Sequence, residues 1–395
     1  MRYIFDKVAS RMAVISITLD GGARTEGARY SAGLAHMMEH MSFKGTKNRN
    51  WQDINRQIAF IGGMTNAFTS QEMVHYYIYV PVENLETAME ILADQLFNSI
   101  LPEEEFRKEW EVVKQEEVGR TDDPTEALFT ELAARTMPGR LAIPIIGTKE
   151  SIEAFSHEEL VRYHEEIYQP SNMLVALAAN CSEEEAARLM EKHFRKNDGF
   201  ALSAETYSQK LYTSETVVVI KEGLEHTYAC MCVPTFDMFD NRDKALEIAD
   251  NILGTGMDSR LFEEVRERRG LVYNISSFNS SHRETGNFVI YFQTEEAKVD
   301  DVIDVINQEL IKFAEDGITD EELARTKNSI RAGVYSTQDS TIGISQDSME
   351  RAYYNLESLD DAFERSNQIT TEDVQSLAQE LFIGTERLVV ISKDS

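Results

Sequence analysis

The feature that most limits the fold of this chain is a long-range repeat. The strand-like run His75-Tyr76-Tyr77-Ile78-Tyr79-Val80 is followed by apolar residues at helical spacing from Leu85 to Ile100. Phe288 to Phe292, followed by Val299 to Phe313, repeats that order. The helix opening Leu101-Pro102-Glu103-Glu104-Glu105-Phe106 is matched by Ile318-Thr319-Asp320-Glu321-Glu322-Leu323, an offset of 217 residues. Repetition on this scale means two similar domains, not a solenoid. In the first copy, Thr65 to Ser70 and Val74 to Val80 read as two strands joined by a hairpin turn, and amphipathic helices follow. The expected fold class is α+β, with two homologous domains that are each a mainly antiparallel sheet covered by helices. The polar, unpatterned run from about Lys196 to Thr213 reads as a linker. The expected division is a first domain over 1–200, a linker over 201–213 and a second domain over 214–395.

Composition narrows the function. A net charge of −30 argues against nucleic-acid binding, which wants Lys and Arg for the phosphates, and it suits basic peptides as partners. Three cysteines, Cys181, Cys230 and Cys232, give neither a disulfide framework nor a four-cysteine metal site. Cys230 and Cys232 share a face of a strand-like run and read as buried thiols. The first residues lack a secretory apolar region, and no run reaches about 18 apolar residues. The expectation is a soluble, cytoplasmic protein with no membrane segment.

Chemistry concentrates in Gly33-Leu34-Ala35-His36-Met37-Met38-Glu39-His40-Met41. On a helix, positions i, i+3 and i+4 put His36, Glu39 and His40 on one side. Two imidazoles one turn apart can grip a divalent metal, and a carboxylate beside them can take a proton from water. This H-x-x-E-H order is the inverzincin signature. Ser31 is the expected N-cap of that helix and Asn50 that of the next. The second copy's corresponding helix, Lys244 to Leu253, has no such motif, so any metal belongs to the first half.

Catalytic zinc usually takes three protein ligands and leaves a position open. The helix from Pro102 to about Arg120 offers Glu103, Glu104, Glu105, Glu109, Glu111, Glu116 and Glu117, and spacing alone does not choose among them. Glu109 and Glu116 share a face with Val112 and Val113, which predicts that both turn inward. The second copy has Thr326 and Gly333 there, so packing of the domain does not require the two carboxylates.

Several segments together carry a family resemblance. They are Gly33 to Thr46, ending Met41-Ser42-Phe43-Lys44-Gly45-Thr46; Asn66-Ala67-Phe68-Thr69-Ser70; Gly147-Thr148; Tyr168-Gln169-Pro170-Ser171-Asn172-Met173; and Ser259-Arg260-Leu261-Phe262 with Arg266 to Tyr273. Nearly the whole chain resembles the M16 zinc peptidases, the pitrilysin, insulysin and mitochondrial processing peptidase family, in its short two-domain branch. The resemblance implies a LuxS/MPP-like metallohydrolase fold in a clamshell arrangement, one zinc per chain and a zinc metalloendopeptidase activity. It assigns His36 and His40 as zinc ligands and Glu39 as the general base. The family's third ligand, a Glu about 76 residues beyond the second His, lands on Glu116. Glu109 becomes the carboxylate that supports a ligand. Asn66, Ala67, Phe68 and Thr69 become the substrate-binding edge strand, with Asn66 and Ala67 in main-chain contact. Arg266 and Tyr273 become the groups that reach the bound peptide from the second domain. The partners implied are a peptide substrate and a second copy of the chain in a homodimer, with a heterodimer left open.

Three departures accompany the resemblance. The first strand looks shortened, Gln115 precedes Glu116, and the glycine-rich loop of the non-catalytic processing-peptidase subunit is absent. The competing readings are a non-catalytic scaffold subunit and a peptide-binding clamp.

Overall fold

The computed structural model of the chain describes residues 2–194, 206–208, 210, 212 and 214–394. The expected linker therefore lies largely outside the described residues. Two five-stranded sheets dominate. The first contains β1 (Arg2–Lys7), β2 (Met12–Leu19), β3 (Met64–Thr69), β4 (Val74–Pro81) and β5 (Met173–Ala179), in the order β1-β5-β2-β4-β3. The second contains β6 (Glu215–Ile220), β7 (Thr227–Thr235), β8 (Asn274–Ser281), β9 (Gly286–Thr294) and β10 (Leu388–Lys393), in the order β6-β10-β7-β9-β8. The two orders are the same once the strands of each sheet are counted in sequence. Each sheet has one parallel pair, β1 with β5 and β6 with β10, and is otherwise antiparallel. The repeat seen in the sequence is thus a duplicated topology.

The first strand, β1, pairs with β5 over all six of its residues. In the second half, β8 starts at Asn274, just past a tight turn. The Leu271 amide still bonds back to the Val265 carbonyl at 3.1 Å, across Gly270 with φ of 61°. Only Gly adopts such a φ without strain, and the chain must make this turn before it can extend.

The two compact units are not simple halves of the sequence. One comprises Met1–Gly119, Ile143–Glu205 and Val334–Ser358; the other comprises Arg120–Ala142, Thr206–Gly333 and Leu359–Ser395. In the first unit, α1 (Leu34–Met41), α2 (Trp51–Phe60), α3 (Leu85–Phe97) and α4 (Glu103–Asp122) follow in chain order. Ile15, Ile17, Val74, Tyr76 and Ile78 of the sheet pack with Met37, Met38, Leu92 and Leu96 in its main core. The helix Thr341–Tyr354, from late in the sequence, adds Met349 and Tyr353 to Met73, Leu174 and Ala176 of the same unit. In the second unit α5 (Pro124–Thr136), from early in the sequence, does the reciprocal job. Its Leu128 and Leu132 cover Cys230, Cys232, Val289, Leu388 and Val390. Each fully buried aliphatic side chain contributes about 1.5–3 kcal/mol, so neither sheet could dispense with its donated helix. Cys230 and Cys232 are free, buried thiols, and burial pushes the Cys232 thiol up to about 12.

Candidate metal centre

The shape of α1 follows from where its apolar residues fall. Leu34, Ala35, Met37, Met38 and Met41 are buried, which leaves His36, Glu39 and His40 on the opposite, half-buried side. The helix starts at Gly33, whose φ is 99° and whose added Cβ would lie 2.1 Å from the Ile146 carbonyl oxygen. Only glycine fits there. The capping group is not Ser31. Buried Glu26 accepts from the Gly33 amide at 3.0 Å and the Ala35 amide at 2.9 Å. A carboxylate at this end also suits the helix dipole. Ser31 instead gives its amide and hydroxyl to Glu159, at 2.7 and 3.1 Å. Asn50 does cap α2, accepting from the Asp53 amide at 2.8 Å.

Helix α4 faces α1, and the Trp110 indole fixes its register by donating to the Ile152 carbonyl at 2.7 Å. It brings two carboxylates to the imidazoles. Glu109 Oε2 lies 3.0 Å from His40 Nδ1, and Glu116 Oε2 lies 3.7 Å from His40 Nε2. One ligand atom each from His36, His40 and Glu116 fall within 4.8 Å of one another. The expectation that both glutamates turn inward holds for Glu109 alone. Its side chain is 11% exposed, whereas that of Glu116 is 43% exposed, and Val112 also faces out. Glu116 stands where α4 borders solvent, which leaves the site open to water on that side.

These residues fit a divalent cation of the zinc type. Two nitrogens and a carboxylate oxygen are a usual zinc donor set, and tetrahedral zinc holds its donors about 3.3 Å apart. His36 Nδ1 is a buried nitrogen without a hydrogen-bond partner among the described residues. Burial, with the charge of His40, pushes the His36 imidazole down to about 4, so the neutral ring keeps one nitrogen lone pair free of a proton. His40 behaves differently. Burial pulls it down, but the Glu109 hydrogen bond and the charges of Glu116, Glu109 and Glu39 outweigh burial and raise it. The Glu109 carboxyl is held low: burial opposes ionisation, and the hydrogen bonds from His40 and Lys44 overcome it. A carboxylate on the outer nitrogen of a ligating imidazole fixes its tautomer and orientation.

Glu39 stands beside this group and is not part of it. Burial raises its pKa, and the hydrogen bond donated by the Thr69 hydroxyl only partly offsets that. A raised carboxylate is the stronger base.

Strand β3 is the last strand of its sheet and pairs only with β4 among the described residues. The Ser70 amide bonds the Met73 carbonyl at 2.8 Å, which sets the alternation of the hairpin. Counting back from there, the main chains of Phe68 and Asn66 face β4, and those of Thr69, Ala67 and Thr65 face the open edge. The Ala67 amide is covered by the Asn66 side-chain oxygen at 2.9 Å. Phe68 is exposed and its ring lies 5.1 Å from that of His75.

Arg266 and Tyr273 lie together in the second unit. Arg266 sits on the π-helical turn Phe262–Arg268, and its Nε donates to the Tyr273 carbonyl at 3.1 Å. The Tyr273 side chain is half exposed, with its ring 4.5 Å from that of His226. The structure thus gathers His36, Glu39, His40, Thr69, Glu109 and Glu116 into one site and sets Arg266 beside Tyr273. Two partners had escaped the sequence reading: Glu26 as the cap of α1, and Lys44, whose Nζ lies 2.6 Å from Glu109 Oε1. Glu26 follows no helical pattern that would mark it. Lys44 was visible only as part of a motif.

Comparison with known proteins gives the same picture. The family description "Insulinase (Peptidase family M16)" matches residues 5–149, and "Peptidase M16 inactive domain" matches residues 154–330. An uncharacterized zinc protease of Mycobacterium leprae is 32% identical, over 94% of this chain and 85% of its own length. The chain belongs to peptidase family M16. This M16 chain is also 30% identical to the uncharacterized zinc protease YmxG of Bacillus subtilis, over 97% of this chain and 93% of that protein. Among solved structures, a protease from Helicobacter pylori superimposes with a TM-score of 0.91 at 23% identity, covering 99% of this M16 chain and 96% of that one. A Pseudomonas fluorescens structure described as a peptidase M16 inactive domain gives 0.90 at 19% identity, covering 100% and 95%. These likenesses establish the two-sheet fold for a short, two-domain member of M16. Among the described residues no helix is long and apolar enough to cross a membrane.

Proposed function

We infer that this M16 chain is a zinc-dependent endopeptidase acting on extended peptides or unstructured protein segments. The observation that carries the reading is the convergence of His36, His40 and Glu116 from two helices, with Glu39 beside them and outside the ligand set. A scaffold subunit has no need of that convergence.

His36 and His40 on α1 and Glu116 on α4 would hold the ion, and Glu109 would orient His40. Bound zinc would polarise the scissile carbonyl and make water a better nucleophile near neutral pH. Glu39, held by Thr69, takes the proton from the attacking water on its carboxylate and passes it to the leaving amine. The open edge of β3 lines up a peptide as an added strand through the main chains of Thr65, Ala67 and Thr69. The Ala67 amide then exchanges the Asn66 side chain for a peptide carbonyl. Recognition through main chain admits many sequences but requires an extended substrate, hence the preference for unfolded segments.

The direct test is to incubate proteome-derived peptides and folded proteins with the wild type and with Glu39→Gln. New termini are expected only with the wild type, and only from peptides or disordered segments. Peptides bound by both forms and cut by neither would instead make the chain a clamp.

Arg266 and Tyr273 come to this proposal through the family resemblance. Tyr273 is half exposed, and a tyrosine hydroxyl is a hydrogen-bond donor suited to a developing oxyanion or to substrate main chain. Tyr273→Phe is expected to lower kcat/KM at least about tenfold, with zinc content and melting temperature unchanged. A wild-type rate would leave Tyr273 a packing role against His226.

A further inference from the structure

Lys44 is a charged side chain that the reaction above does not use. Its Nζ donates to Glu109 Oε1 at 2.6 Å, while the other oxygen of that carboxylate lies 3.0 Å from His40 Nδ1. Both partners are largely withdrawn from solvent, with side chains 26% and 11% exposed.

The turn that carries Lys44 is tied down on both sides. The Lys44 amide bonds the Met41 carbonyl at 3.1 Å, which continues the end of α1. Gly45 follows with φ of 127°. The Thr46 hydroxyl then donates to Asp94 of α3 at 2.6 Å, and Asn48 and Arg49 bind the same carboxylate. The sequence Phe43-Lys44-Gly45-Thr46 therefore builds a fixed bracket between α1 and α3, from which the lysine reaches α4.

We propose that Lys44 is a positioning residue of the metal centre: by gripping one oxygen of Glu109 it aims the other at His40 Nδ1, and so presents His40 Nε2 to His36 and Glu116. The proposal rests on the metal-centre reading above. The terminal torsion of a glutamate is broad, so a carboxylate held at one oxygen still swivels. A second anchor on the other oxygen removes that freedom. An imidazole held at Nδ1 by a carboxylate keeps Nε2 available for coordination. The ammonium also supplies the cation that the largely buried Glu109 carboxylate requires.

The test measures zinc affinity of the full chain by competition with a chromophoric chelator, and so needs no turnover. Lys44→Met is expected to weaken zinc binding about tenfold, and Lys44→Arg to restore most of it. Glu109→Gln is expected to weaken binding at least as much. The Lys44→Met/Glu109→Gln double variant should be no weaker than Glu109→Gln alone, because Lys44 acts through Glu109. Ring nitrogen NMR of the zinc-free protein should report His40 as the Nδ1–H tautomer in the wild type and a mixture in Lys44→Met. Wild-type affinity in Lys44→Met overturns the proposal, as does a further tenfold loss in the double variant. A wild type that takes up no zinc overturns the metal reading itself, and the proposal with it. Zinc uptake by the wild type with Lys44→Met unmoved removes the role of Lys44 alone.

Discussion

Glu39→Gln is expected to lower kcat on an unstructured peptide by about 10³-fold while leaving zinc bound. General acid–base catalysis contributes about 10²–10⁴-fold, and the amide can neither take the proton from water nor return it to the amine. The substitution is close to isosteric, and its amide oxygen can still accept from the Thr69 hydroxyl, which now binds the carboxylate. The ligand set of His36, His40 and Glu116 is untouched. Three readouts separate the outcomes: turnover by a quenched peptide, metal by mass spectrometry, and fold by thermal melting. Loss of turnover with metal and melting temperature unchanged is the expected result. Turnover within a few-fold of wild type would move the base elsewhere. Loss of metal would make Glu39 a ligand.

Glu116→Gln acts on the other half of the machinery. A neutral amide is a poor zinc donor, and the site also loses the one anionic ligand that balances the ion's charge. Supporting residues alone alter metal affinity about 10–100-fold, so losing a ligand should cost more than about 100-fold. Turnover should fall with it at low zinc and recover in part when zinc is raised. The fold should not suffer, because this side chain is 43% exposed and surface substitutions usually change stability by less than about 0.5 kcal/mol. Glu111→Gln, on the same helix but paired with Lys114, serves as the control and should bind zinc normally. Equal zinc content in the Glu116 variant and the wild type would move the third ligand off α4.

Much of this site can be read from the sequence because helices have a fixed period. His36, Glu39 and His40 had to share a side of α1 once their neighbours were apolar. The twofold repeat likewise implied two matching sheets, and the strand order bears that out. What stayed hidden depends on contacts between distant segments. Glu26 caps α1 from the end of a separate short 3-10 turn, Ala23–Glu26, so no spacing rule marks it. Whether Glu116 or a neighbouring glutamate meets the imidazoles is set by how α4 docks on α1, and a run rich in glutamate says nothing of that. The alternation along β3 exposes the main chain of Ala67 and turns that of Asn66 toward β4. That result needs the register of the hairpin and the Ser70 amide bond to the Met73 carbonyl, which lie beyond any spacing rule. The exchange of α5 and of the helix Thr341–Tyr354 between the two sheets was likewise invisible, since an amphipathic helix does not state which sheet it covers.

The measurement closest to the central claim is turnover of an unstructured, quenched peptide by metal-stripped protein, followed as zinc is added back in known amounts. Activity should be absent at the start, rise in proportion to zinc and level off at one equivalent per chain. Full activity in the stripped protein, or none after a full equivalent of zinc has bound, would contradict the account.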